Sequence, residues 1–158
     1  MTEELKQEYT LKITQANKTE LITILYEMIL IYTEEGKEAH AGGDRAGFRD
    51  AIRKARGCVN ELLASLNFEQ SLAVNFLQLY LYVNRELASA EVRNITEPLD
   101  HIEKVIGGLH KAYKKLGEMD TSGPVMENVQ TVYAGLTYGK NSLNENLSDQ
   151  GFDRGFRV

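Results

Sequence analysis

The sequence predicts an all-α fold: an antiparallel up-down four-helix bundle, followed by a candidate short fifth helix and a flexible C-terminal tail. Three observations carry this. Proline occurs only at positions 98 and 124, and the apolar–polar alternation that marks strands is absent. Four long stretches instead place apolar residues at helical spacing, between capping or turn signals. The connections between them are short, and short connections make consecutive helices antiparallel neighbours.

The first predicted helix opens at Asn17, whose side chain can cap it, with Glu20 at capping-box spacing. It runs through "LITILYEMILIY" at 21–32 to about residue 40 and stops at "AGGD", where Gly42 and Gly43 favour a turn. Asp44 can cap the second, which reaches about residue 66. Its apolar positions Phe48, Ile52, Ala55, Val59, Leu62 and Leu66 form one stripe. "SLNFEQS" supplies a connection, and the third helix spans about 69–93. The fourth starts near Thr96, with Pro98 tolerated in its first turn, and ends near Gly117. It carries the stripe Leu99, Ile102, Ile106, Leu109, Tyr113 and Leu116.

The domain organisation that follows is an N-terminal arm over 1–16, the bundle over 17–117 and a C-terminal extension over 118–158. "TSGP" marks a boundary at the start of the extension. Beyond it Val125, Met126, Val129, Val132, Tyr133 and Leu136 fall on one face of the candidate fifth helix at 124–136. A helix of that length is marginal alone and needs a surface to dock against. From Gly139 the sequence is polar, rich in Asn and Gly, and expected to be disordered.

Helices one and three carry more apolar surface than one core stripe requires. In 21–32, Leu21, Leu25, Met28 and Tyr32 form one stripe, and Ile22, Tyr26, Ile29 and Leu30 broaden it; only Thr23 and Glu27 interrupt. In "SLAVNFLQLYLYV", Leu72, Phe76, Leu79 and Val83 lie together, while Val74, Leu77, Leu81 and Tyr82 spread around the cylinder. Two explanations are open. These helices are central and covered by other parts of the chain, or part of their surface forms a groove for another chain's amphipathic helix.

Composition narrows the function. With 18 basic and 23 acidic residues the net charge is −5, and no basic cluster offers the phosphate contacts on which nucleic-acid binding depends. The single cysteine, Cys58, allows no internal disulfide and fits a reducing compartment. The start, "MTEELKQEYT", lacks the apolar core of a secretory signal. No apolar run reaches the roughly 18–20 residues that span a bilayer. A cytoplasmic protein without membrane insertion is expected.

Neither catalytic chemistry nor a cofactor is indicated. The residues three before His40, His101 and His110 are Lys37, Pro98 and Gly107, so the Glu-x-x-His pairs of di-metal bundles are absent. His101 and His110 read as solvated surface and Cys58 as a buried small hydrophobe. "AGGDRAG" follows a helix and lacks the Gly-Lys-Ser/Thr ending of a phosphate loop. The expectation is a binding protein, with no catalytic or metal-binding residue. Its eight tyrosines and absent tryptophan suit wet interfaces and groove walls. They equally suit bundle ends, with ring bodies inside and hydroxyls at the surface.

Three segments then resemble one family in the same order. "NKTELITILY" at 17–26 resembles a segment with Glu-Leu near the start of helix one and Leu-Tyr a turn later. "KARGCVNELLASLN" at 54–67 resembles a second helix with paired leucines and a Ser-Leu-Asn-like end. "NFLQLYLYVNRELASA" at 75–90 resembles the core Asn-Leu-x-x-Leu-Tyr-x-Tyr-x-x-x-Arg-Leu-x-x-Ala. Together, over about residues 5–116, the sequence is similar to the flagellar secretion chaperones that bind flagellin (FliS-like).

The resemblance implies an antiparallel helical bundle that captures the disordered C-terminal region of newly made flagellin as amphipathic helices. Capture blocks premature polymerisation and assists flagellar type III secretion, with export-apparatus components as further partners. It implies an N-terminal arm whose aromatic residue lies over the binding surface and can be displaced; Tyr9 matches that residue, with Ile13 following. By matching position, Tyr26, Asn75, Leu79, Tyr80, Tyr82 and Arg85 are the candidates around the binding surface. The chain departs from the family pattern at Lys18–Thr19, where Pro-Gly is common, at Tyr113 in place of a tryptophan, and at Glu91 in place of an asparagine. The long extension is not implied by the resemblance, and 125–136 is expected to dock on the bundle and compete with the client. The alternative from the residues alone is a structural bundle whose apolar face closes a homo-oligomer.

Overall fold

The computed structural model describes residues 1–120 and 123–124. They contain five helices and no strand: α1 (Glu3–Gln15), α2 (Lys18–Ala41), α3 (Arg45–Ala64), α4 (Ala73–Arg93) and α5 (Glu97–Met119). The four long helices close a ring. α2 packs on α3 and α5, and α4 packs on the same two from the other side. The candidate fifth helix at 124–136 and the tail beyond it lie outside the described residues, except for Pro124.

Local chemistry explains most boundaries. The Asn17 side chain accepts from the Glu20 backbone N–H at 2.9 Å and opens α2. Gly43 takes a φ of +71° in the turn that follows, a conformation glycine reaches without steric cost. The Asp44 carboxylate then accepts from the Gly47 N–H at 2.9 Å and opens α3. α4 stops at Asn94, in the left-handed region at φ 52°, where asparagine is the best tolerated residue after glycine.

Two boundaries differ from the sequence reading. The third predicted helix was expected from about residue 69, but α4 begins at Ala73. The Asn67 side chain accepts from the Glu69 N–H at 3.0 Å, and Gln70 N–H bonds the Asn67 carbonyl. That local capture folds 67–72 into turns rather than helix. The N-terminal arm, given no secondary structure, is mostly helix α1. Thr2 caps it by accepting from the Leu5 N–H, and Met1, Leu5, Tyr9 and Ile13 recur every fourth residue toward the core.

The core joins Leu25, Met28, Ile29 and Tyr32 of α2 to the predicted stripes of its two neighbours, through Phe48, Ile52, Ala55, Val59 and Leu62 of α3 and Leu99, Ile102 and Ile106 of α5, all nearly or fully inaccessible. α4 contributes Val83 and Leu87, and Cys58 is buried among them as a small hydrophobe. Burial pushes the Cys58 thiol up, so it stays protonated and unreactive. Glu91 forms ion pairs with Arg49, Arg53 and Arg56 at 3.4–3.8 Å, tying α4 to α3 where the family pattern has an amide. Between α2 and α5, Lys37 bridges Asp100 and Glu103, each at 2.7 Å. Burial alone would lower its pKa, but the two carboxylates outweigh it and raise it.

Candidate functional site

The site is built from two rows of residues at helical spacing. On α4, Asn75, Leu79, Tyr82 and Glu86 follow one another at intervals of three and four. Such intervals put side chains on one helix face. On α5, His101, Val105, Leu109, Ala112 and Leu116 do the same. The rows face each other across a groove. At one end His101 Nδ1 donates to Glu86 Oε2 at 2.7 Å. Toward the other, the rings of Phe76 and Tyr113 meet edge-on with centroids 5.9 Å apart. Leu79, Tyr82, Val105 and Leu109 are half-buried along the groove, and Asn75 is exposed at its rim. The open end carries Leu72 and Leu116, which are 57% and 52% exposed.

Beneath the groove lies an aromatic cluster. The hydroxyls of Tyr26 and Tyr80 share a hydrogen bond of 2.6 Å, although the residues are 54 apart in sequence. Tyr113 meets Tyr26 edge-on with centroids 5.5 Å apart, and Phe76 stacks on Tyr80 at 5.9 Å. These contacts join α2, α4 and α5 at one level of the bundle. Burial and the neighbouring Tyr80 drive the Tyr26 pKa far up; burial pushes that of Tyr80 up to about 12. Both hydroxyls are therefore neutral donors and acceptors at any physiological pH. Tyr113 stands at the position where the family pattern has tryptophan, and it supplies a ring to this cluster.

The candidates named from the sequence thus fall in four places. Asn75, Leu79 and Tyr82 line the groove. Tyr26 and Tyr80 lie under it, essentially inaccessible. Arg85 is exposed on a different face of α4, in the row Leu81, Arg85, Ala88 and Val92. Tyr9 is on α1, against α2. There its hydroxyl donates to Glu27 Oε2 at 2.9 Å, and His110 Nε2 donates to Glu27 Oε1 at 3.1 Å. Burial first, then the Glu27 carboxylate, raises the Tyr9 pKa. The Met1 ammonium pairs with Glu35, so α1 runs antiparallel along the α2 face that carries Ile24, Glu27, Ile31 and Glu35.

Several residues of this arrangement were not singled out as site residues. Phe76, Leu109, Tyr113 and Leu116 were counted as core stripe, and the stripe alone cannot show which of its edges is left uncovered. Glu27 stood as an interruption of an apolar run. The structure makes it the anchor for Tyr9 and His110, a contact across 18 and 83 residues of chain that spacing does not reveal. Among the described residues, no group of three or more His, Cys, Asp or Glu could hold a metal ion. No helix among them is long and apolar enough to cross a membrane.

A family model described as flagellar protein FliS matches residues 1–121. The chain belongs to that family. It is a family of flagellar export chaperones rather than of enzymes. A search of curated proteins gave no match. The family match takes in α1 through α5, the groove and the aromatic cluster, and it stops just after α5. Residues 122–158 therefore lie beyond the part of the chain that the family describes.

Proposed function

We propose that this chaperone binds the C-terminal region of flagellin as amphipathic helices in the α4–α5 groove. In the cytoplasm it thereby prevents premature polymerisation and hands the subunit to the flagellar type III export apparatus. The observation that carries this reading is the groove itself: a half-buried apolar seam between α4 and α5, rimmed by an amide, over a cluster of buried aromatic rings, in a member of an export-chaperone family. Leu79, Tyr82, Leu109 and Leu116 offer apolar surface to an incoming helix. Asn75 can satisfy backbone groups at its frayed end. Four side chains covering roughly 100 Å² each correspond to about 10 kcal/mol of gross hydrophobic gain at 25 cal/mol/Å², much of it offset by the cost of ordering the client.

In this reading the remaining candidates have distinct parts. Tyr26 and Tyr80 hold the floor and do not touch the client. α1, with Tyr9 as its anchor, is a displaceable cover over α2. Arg85 meets a client only where the client crosses α4. The test is binding of the purified protein to full-length flagellin and to flagellin lacking its C-terminal segment. Binding to the first and not the second is expected. Equal binding to both, or to neither, overturns the proposal, and a stable dimer in light scattering with no flagellin binding favours homo-oligomerisation through the same face.

A further inference from the structure

Among the described residues, four of the eight large apolar side chains left exposed lie at one end of the bundle, the others being Leu11 on α1 and Val74, Leu81 and Val92 on α4. Phe68, Leu72, Leu116 and Met119 are 62%, 57%, 52% and 79% exposed. Phe68 and Leu72 lie just before α4, and Leu116 and Met119 lie in the last turn of α5. The register that pairs Glu86 with His101 and Phe76 with Tyr113 sets the start of α4 beside the end of α5. All four residues therefore mark one end of the bundle, with Leu72, Leu116 and Met119 where α4 starts beside the end of α5 and Phe68 in the turn that follows α3.

The chain leaves the bundle at this same end, on the α2 side of α5. Asp120 is held against the start of α2: Thr19 Oγ1 donates to its carboxylate at 2.7 Å, and Asn17 Nδ2 donates to its carbonyl at 3.4 Å. Gly123 and Pro124 follow, a pair suited to a turn and to the first turn of a helix. Next come Val125, Met126, Val129, Val132, Tyr133 and Leu136 at helical spacing, with Glu127 as the only charge between 125 and 136. Three valines and Gly135 give this stretch weak intrinsic helix propensity. Twelve helical residues span about 18 Å. The apolar row on α5 from Leu116 back to Val105 has about the same length at 1.5 Å per residue.

We propose that residues 125–136 fold back from the end of α5 and dock as a short helix in the mouth of the α4–α5 groove. They cover Leu72, Leu116 and Met119. The chain's own segment is favoured over a second copy because a linker of a few residues holds it at an effective concentration in the millimolar range. Its position beyond the family match makes this contact a property of this chain and not of the family fold.

The test uses the full chain and a Val129→Asp/Val132→Asp variant, whose substitutions lie outside the bundle. The probe is a soluble paramagnetic agent, read on the methyl groups of Leu72, Leu116 and Met119, with Leu81 and Val92 as controls on the outer face of α4. The expected result is at least threefold faster methyl relaxation at the first three residues in the variant, at every protein concentration, with Leu81 and Val92 unchanged. Equal relaxation in both proteins overturns the proposal. Protection that appears only as protein concentration rises overturns it in favour of a second copy. No flagellin is present, so failure here is separate from failure of the client reading.

Discussion

On α2, Ile24 and Ile31 lie along the face that also carries Glu27 and Glu35, and α1 covers that face through Tyr9 and Met1. On α4, Val74, Leu81 and Val92 are 54%, 43% and 81% exposed, and no described element lies over them. The flank of α4 toward α5 is intermediate, half-closed by the Phe76–Tyr113 contact and open at Leu72. In the sequence the two helices look alike, each with more apolar residues than one stripe needs. The difference shows that an apolar excess marks surface in need of cover without saying whether the cover is built in, recruited or absent.

The comparison can be broken most severely in the cluster where the helices meet. Tyr26→Ala removes a fully buried ring and orphans the Tyr80 hydroxyl; a loss of about 3–5 kcal/mol is expected in urea unfolding. Leu81→Ala, on the uncovered outer face of α4, should stay within about 0.5 kcal/mol of the parent.

The cover on α2 is tested next. Tyr9→Phe keeps the ring but loses a hydrogen bond to a carboxylate, worth about 1.5–3 kcal/mol. Faster hydrogen exchange confined to α1 is the expected readout, with the amides of α3 protected as before. The same contact sets a pH dependence. Because the folded protein raises the Tyr9 pKa above its ordinary value of about 10, docking is fully present below that pH. It is lost as the pH rises through the raised value. Tyr80, at about 12, titrates with the same sign. Unfolding midpoints measured from pH 9 to 12 should therefore fall, and the fall should shrink in Tyr9→Phe.

A smaller effect sharpens the contrast between covered and bare surface on α5. A Cβ at Gly108 would meet nothing within 4 Å, and alanine is favoured over glycine in a helix interior by about 0.8–1.0 kcal/mol. Gly108→Ala should raise the thermal midpoint by a few degrees without altering client binding.

What could be read from the sequence was what is local. Asn17 and Asp44 cap helices through neighbours three residues away, and the α3 and α5 stripes each follow one helical period, buried from Phe48 to Leu62 on α3 and from Leu99 to Ile106 on α5 before the latter opens toward Leu116. The helix α1 was also written locally, in the Thr2 cap and the four-residue recurrence of Met1, Leu5, Tyr9 and Ile13, but its many charged residues mask that pattern. The connection "SLNFEQS" was read, but its end was placed about four residues early, because Asn67 holds the backbone in turns up to Ala73. The site was only partly legible. Asn75, Leu79 and Tyr82 share a face by spacing alone, but the burial of Tyr26 and Tyr80 depends on a hydroxyl contact between separate helices.

The central claim is that the client sits in the α4–α5 groove and not on the outer face of α4. The direct measurement is flagellin affinity by calorimetry for Leu79→Ala/Tyr82→Ala and for Leu81→Ala/Val92→Ala, with thermal unfolding recorded for both. The account predicts at least a tenfold loss for the groove pair, about 1.4 kcal/mol or more, and a change within twofold for the outer pair. An unchanged affinity for the groove pair, or a tenfold loss for the outer pair alone, would contradict it.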